Sequence, residues 1–139
     1  MLEYYVMFVT SMLFVHWFAD FVCQTDEMAK EKSSSFGSLL KHIASYAIVF
    51  TIGAFLAVVC LDNIADSGWM FGGWAFNLFV ITNVVSHLFI DYVTSRAAKL
   101  EFDRGNVGGA FVIIGFDQFL HVAIMTMSFY YIAMPVVVI

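Results

Sequence analysis

The sequence predicts an all-α polytopic membrane protein, with four transmembrane helices in two tandem helical hairpins and both termini outside. Three observations carry this reading. The 139 residues are 62% hydrophobic and only 12% charged, with a mean hydropathy of +0.88. A water-soluble domain of that length cannot hide so much apolar surface, so the solvent is mostly lipid. Four apolar stretches reach the roughly 20 residues that a bilayer span needs at about 1.5 Å of rise each. Finally, all six Lys and Arg fall in or beside two of the three connections.

The first stretch covers about residues 3–24. It lacks a basic leader and a small-residue cleavage site, and therefore reads as a retained helix. The connection after it holds Lys30 and Lys32, with Lys41 just beyond. Within it, DEMAKEK (26–32) reads as a solvated loop, and KSSSFG (32–37) as a polar lead into the second stretch, about 36–60. The second connection, LDNIADSG, has Asp62 and Asp66 and no basic residue. The third stretch covers about 69–92 and is followed by Arg96, Lys99 and Arg104. RGNVGG (104–109) leads into the fourth, about 108–132, with Ser or Asn as N-caps at both leads. Pro135 ends or bends that helix, and Trp69 and Trp74 suit an outer interfacial belt. Because basic loops stay in the cytoplasm, connections one and three lie inside. A membrane thickness separates Cys23 from Cys60, which excludes a disulfide between them.

The whole chain, 1–139, is one domain containing a repeat, with hairpin one at about 1–62 and hairpin two at about 67–139. HWFADFV (16–22) returns as HLFIDYV (87–93), and LKHIA (40–44) weakly echoes FLHVA (119–123). Since two helices separate the copies, both have the same membrane orientation, as in parallel repeats.

The repeat carries chemistry. Asp20 follows His16 by four, Asp91 follows His87 by four, and Asp117 precedes His121 by four; His42 is the fourth histidine. Residues i and i+4 share a helix face. With the topology set by basic residues alone, all seven side chains fall in the inner half of the membrane and can meet in one layer. An ionised aspartate at a helix centre costs about 2.5–3.5 kcal/mol, and no Lys or Arg lies deep in a span. Protonated His, protonated Asp or a bound cation therefore has to neutralise the layer. A lone polar residue would more simply hydrogen-bond two helices together. Three His/Asp pairs and a further histidine at one depth favour a divalent metal. The expected ligands are His16, Asp20, His42, His87, Asp91, Asp117 and His121. Zinc suits that set first, iron or manganese next. Gln24, Asn83 and Gln118 continue or adjoin the stripes and are candidates to orient the ligands.

The pattern H-x-x-x-D-F-x-x-Q followed by MAKEK, then LLKHIASY, HLFIDYVTSR and GFDQFLHVA, resembles domain-of-unknown-function family 3307. Those are small bacterial integral membrane proteins, so the resemblance implies a multi-pass protein of the bacterial inner (cytoplasmic) membrane. Cys23 stands where the family suggests an aliphatic residue. The His/Asp pairs on short membrane helices are more loosely similar to membrane-bound metal-dependent hydrolases.

Three functions compete. In a metal-dependent hydrolase acting on a lipid or amphiphile, the ion polarises a phosphoryl or acyl oxygen and lowers the pKa of bound water to about 7, with Asp117 as base. Against this, no H-E-x-x-H motif is present. In a divalent-cation (zinc-like) transporter, two His-x-x-x-Asp helices form the site, but the outer halves offer no carboxylate or histidine. The third is a non-catalytic module with a structural metal or polar cluster. Membrane lipids and a second copy of the chain are the expected partners. Six basic residues mixed with acids argue against nucleic acid.

Overall fold

The computed structural model describes residues 2–65 and 73–133. Every regular element among them is helical: α1 (Leu2–Trp17), α2 (Asp26–Glu31), α3 (Phe36–Ala65), α4 (Gly73–Asp103) and α5 (Val107–Ser128). α1 continues into a π-helical turn at Phe18–Val22, and α5 into another at Phe129–Ala133. Among the described residues, four helical segments are long and apolar enough to cross a membrane: Glu3–Val22, Phe36–Leu61, Gly73–Asp103 and Val107–Ile132. The expectations for Asp66, Trp69 and Pro135 lie outside the described residues.

Two boundaries differ from expectation for local reasons. DEMAKEK is not a plain loop. Thr25 caps α2 by accepting a hydrogen bond from Met28 N at 3.2 Å, and Asp26 and Glu27 sit in its first turn, where the helix dipole favours negative charge. α4 runs about eleven residues past the expected end of its span. Its SRAAKLE segment is built of helix formers, and a Lys99–Asp103 pair at 2.7 Å supports the last turn. The helix stops at Gly105, whose φ of 77° suits glycine. Asn106 N bonds Glu101 O and Gly105 N bonds Phe102 O, both at 2.9 Å, the paired closure of a Schellman motif. Asn106 then starts α5 by accepting from Gly109 N at 3.0 Å. Ser35 caps α3 likewise, through Ser38 N at 3.2 Å.

α1 packs on α3, α3 on α4, and α4 on α5. Lipid tails are as apolar as leucine, so helix association there rests on close packing and polar contacts and not on the hydrophobic effect. Phe8, Met12, Phe50, Phe79, Met125 and Phe129 fill the interior away from the α2 end. Phe8 stacks on Phe129 with ring centroids 4.2 Å apart and meets Phe79 edge-on at 5.8 Å. Gly53 lets α3 approach α1: a Cβ there would come within 2.7 Å of Val15 Cγ2. The outer surface is as greasy as the interior, with Val112 72%, Phe89 66% and Trp74 65% exposed. A water-soluble protein does not expose such faces on every long helix.

Candidate metal centre

The polar layer forms where the last turns of the α1 segment and the first turns of α3 meet the middle of α4 and α5, beside α2. α4 is regular through the second heptapeptide, so His87 and Asp91 share a stripe and are both buried. His42, on the second turn of α3, is fully buried. Asp20 comes from the π-helical turn, which widens the backbone between it and His16. Ser45 Oγ donates to Cys23 O at 3.2 Å and ties the end of that turn to α3.

Four ligand atoms converge. His42 Nε2 lies 3.1 Å from Asp20 Oδ1, 3.2 Å from Asp91 Oδ2 and 3.2 Å from His87 Nε2. His87 Nε2 lies 3.4 Å from Asp20 Oδ1 and 3.8 Å from Asp91 Oδ2. A tetrahedral ion with bonds of about 2.0–2.1 Å has ligand–ligand edges of about 3.3–3.4 Å. The observed edges bracket that value. The set can hold a metal ion.

Three further residues stand around this group. Asp91, Asp117 and His121 form a second set with ligand atoms within 4.8 Å of one another. His121 Nδ1 donates to Asp117 O at 2.9 Å and lies 3.5 Å from Asp117 Oδ2. Asp117 also accepts from Thr94 Oγ1 and, at 2.9 Å, from Gln118 Nε2. His16 belongs to neither set. Its Nδ1 lies 3.1 Å from Tyr46 Oη and its Nε2 3.2 Å from Gln118 Oε1. The two heptapeptides thus contribute unequally: the second copy gives both its histidine and its aspartate to the four-atom group, the first only Asp20.

The candidate orienting residues fall in three different places. Gln118 is a hub, since its amide also donates to Asp20 Oδ2 at 2.9 Å. Gln24 lines the cleft beside the layer, with a buried Oε1 that has no protein hydrogen-bond partner. Asn83 donates to Ser128 Oγ at 2.9 Å and Phe79 O at 2.8 Å, joining α4 to α5.

One expectation is corrected. A lysine does reach the layer: Lys32 Nζ lies 2.8 Å from Asp91 Oδ2. It arrives from the connection and not from a span. Glu31, the residue before it, accepts from Ser38 Oγ at 2.8 Å and so ties the end of α2 to α3. Three carboxylates and one ammonium then leave a charge of about −2 with neutral histidines, the charge that one divalent ion cancels. Tyr46, expected among the polar residues of the outer halves, joins the layer instead, four residues after His42. Its ring stacks on His87, with centroids 3.8 Å apart and planes 5° from parallel.

A cleft of about 170 Å³ adjoins the layer, lined by Gln24, Lys32, Thr94, Ser95, Asp117 and Gln118 among others. The sequence pattern of the family described as "Protein of unknown function (DUF3307)" matches residues 8–138. The chain belongs to that family. The DUF3307 match includes every residue of the polar layer, from His16 to His121. Comparison with curated proteins and with solved structures gives no match.

Proposed function

We propose that this DUF3307 protein is an intramembrane metalloenzyme that hydrolyses a phosphoryl or acyl ester of a lipid or other amphiphile. The observation that carries the reading is the convergence of Asp20, His42, His87 and Asp91 at tetrahedral spacing in a buried layer. Zinc is the ion whose ligand preferences fit best. The cleft supports a substrate whose reacting part is small. At about 170 Å³ it is below the usual 300–1,000 Å³ of a whole-ligand pocket, so a head group enters and the chains stay in lipid. Of the three carboxylates that line this cleft, Asp117 is the one outside the four-atom group. All six basic residues lie at the α2 end of the molecule, and we take that end to face the cytoplasm of the bacterial inner membrane, so substrate comes from the inner leaflet.

Transport is the poorer reading. Beyond the layer the interior is closed by Phe8, Phe50, Phe79 and Phe129, which form an apolar plug and not a polar path.

The test uses purified protein in lipid nanodiscs, loaded with Zn²⁺ or Mn²⁺ and offered lipid phosphates and acyl esters. The expected result is turnover that His42→Ala and Asp91→Asn abolish. Protein that holds its ion and turns over none of these substrates overturns the hydrolase reading.

A further inference from the structure

Asp91 uses its two oxygens in different directions. Oδ2 belongs to the four-atom group, while Oδ1 faces His121 Nε2 at 3.9 Å. That distance is too long for a hydrogen bond. It is within the reach of two metal–ligand bonds of about 2.0–2.1 Å each with an ion between them. His121 is prepared for such an ion: Nδ1 is committed to Asp117 O at 2.9 Å, which leaves the lone pair on Nε2. Nε2 is buried and has no protein hydrogen-bond partner, and His121 as a whole is 5% exposed.

We infer that Asp91 bridges two divalent ions: one in the Asp20–His42–His87–Asp91 set, and a second held by Asp91 Oδ1, His121 Nε2 and the Asp117 carboxylate. The inference rests on the metal reading above and extends it. Within the first set, a histidine of α3 meets the aspartate of the π-helical turn that continues α1; a like relation returns between His121 of α5 and Asp91 of α4. Asp117 has its place fixed by Thr94 and Gln118, and Gln118 ties it to Asp20 of the first set.

The two positions differ in kind. Four protein ligands complete a tetrahedral ion, whereas three leave a coordination position open, as in catalytic sites. The open position belongs to the second ion, and Asp91 and Asp117 both line the cleft. A carboxylate-bridged pair sits about 3.5–4 Å apart and can clamp one oxyanion from two sides. Charge requires the same partner. Two divalent ions exceed the three carboxylates even before Lys32 is counted, so the second ion binds together with an anionic ligand in the cleft. A phosphoryl or carboxyl group has that chemistry.

Metal stoichiometry and magnetic coupling test this without relying on activity. Wild type, His121→Ala and Asp117→Asn are purified in detergent, loaded with Mn²⁺ in the presence of inorganic phosphate, and checked for native helix content by circular dichroism. The expected wild-type result is two ions per chain with the spectrum of an exchange-coupled pair in electron paramagnetic resonance. Each variant should hold one ion with an isolated-ion spectrum. One isolated ion in the wild type overturns the second site and leaves the first standing. Two ions that survive both substitutions overturn the assignment to His121 and Asp117. No bound ion overturns this inference and the metal reading together.

Discussion

Replacing Lys32 by methionine keeps most of the stem and removes the ammonium that Asp91 Oδ2 faces at 2.8 Å. Asp91 is only 2% exposed, and stranding a buried charge by deleting its partner costs about 3–5 kcal/mol. The lysine side chain keeps 17% of its surface in contact with solvent, which places the cost near the lower end, about 3 kcal/mol. For a chain of this length, each kcal/mol moves the midpoint by about 3–4 °C. Ion-free Lys32→Met is therefore expected to melt about 10 °C below ion-free wild type. A divalent ion at 100 times its Kd contributes about 2.7 kcal/mol, nearly the same amount, and it supplies Asp91 with a cation in place of the one lost. Loading the variant should thus return it close to the ion-free wild-type midpoint. The assay is thermal unfolding in detergent followed by far-UV circular dichroism, after chelator treatment and again after Zn²⁺ addition. An ion-free variant within about 2 °C of wild type would refute the buried ion pair. A normal drop that Zn²⁺ fails to repair would refute the charge argument for the metal.

Further outcomes test other parts of the arrangement. His87→Ala removes one corner of the tetrahedron, and its ion affinity, read by competition with a chelating dye, should fall by more than the 10–100-fold typical of losing an orienting partner. Tyr46→Phe keeps the ring on His87 and loses the contact to His16 Nδ1; it should cost about 1 kcal/mol in thermal unfolding while ion stoichiometry stays unchanged. Gly53→Leu forces α1 and α3 apart at Val15 and should destabilise by about 1–3 kcal/mol, again read by unfolding. A cysteine introduced at Ser33 or Gly105 in a cysteine-free background should react with a membrane-impermeant thiol reagent only after cells are permeabilised; labelling of intact cells reverses the proposed orientation.

Much of the fold was legible because its signals are local. Apolar length marks a span wherever it occurs, and the cap of α5 at Asn106 can be read from a few residues. The i, i+4 spacing of His87 and Asp91 marks one face as long as the helix stays regular. The same spacing at His16 and Asp20 runs into the π-helical turn at Phe18–Val22, and there it brings only the aspartate to the four-atom group. Nothing in FADFV announces that turn. The role of Lys32 is not legible locally, because its sequence neighbours are polar residues of a connection, whereas its side-chain partner lies 59 positions away.

Taken alone, the sequence determined that the described chain carries four helices long and apolar enough to cross a membrane, and which polar residues recur at helical spacing along them. Those properties depend on length, hydropathy and helical period, and each can be computed without knowing what packs against what. Only the tertiary structure decided that Asp20, His42, His87 and Asp91 meet within 4.8 Å, that His16 turns to Tyr46 and Gln118, and that Lys32 folds back onto Asp91. The reason is that helix rotation and contact are set by packing between helices, through ring against ring and through a glycine that admits a neighbour, and these are relations between distant residues that no local period encodes.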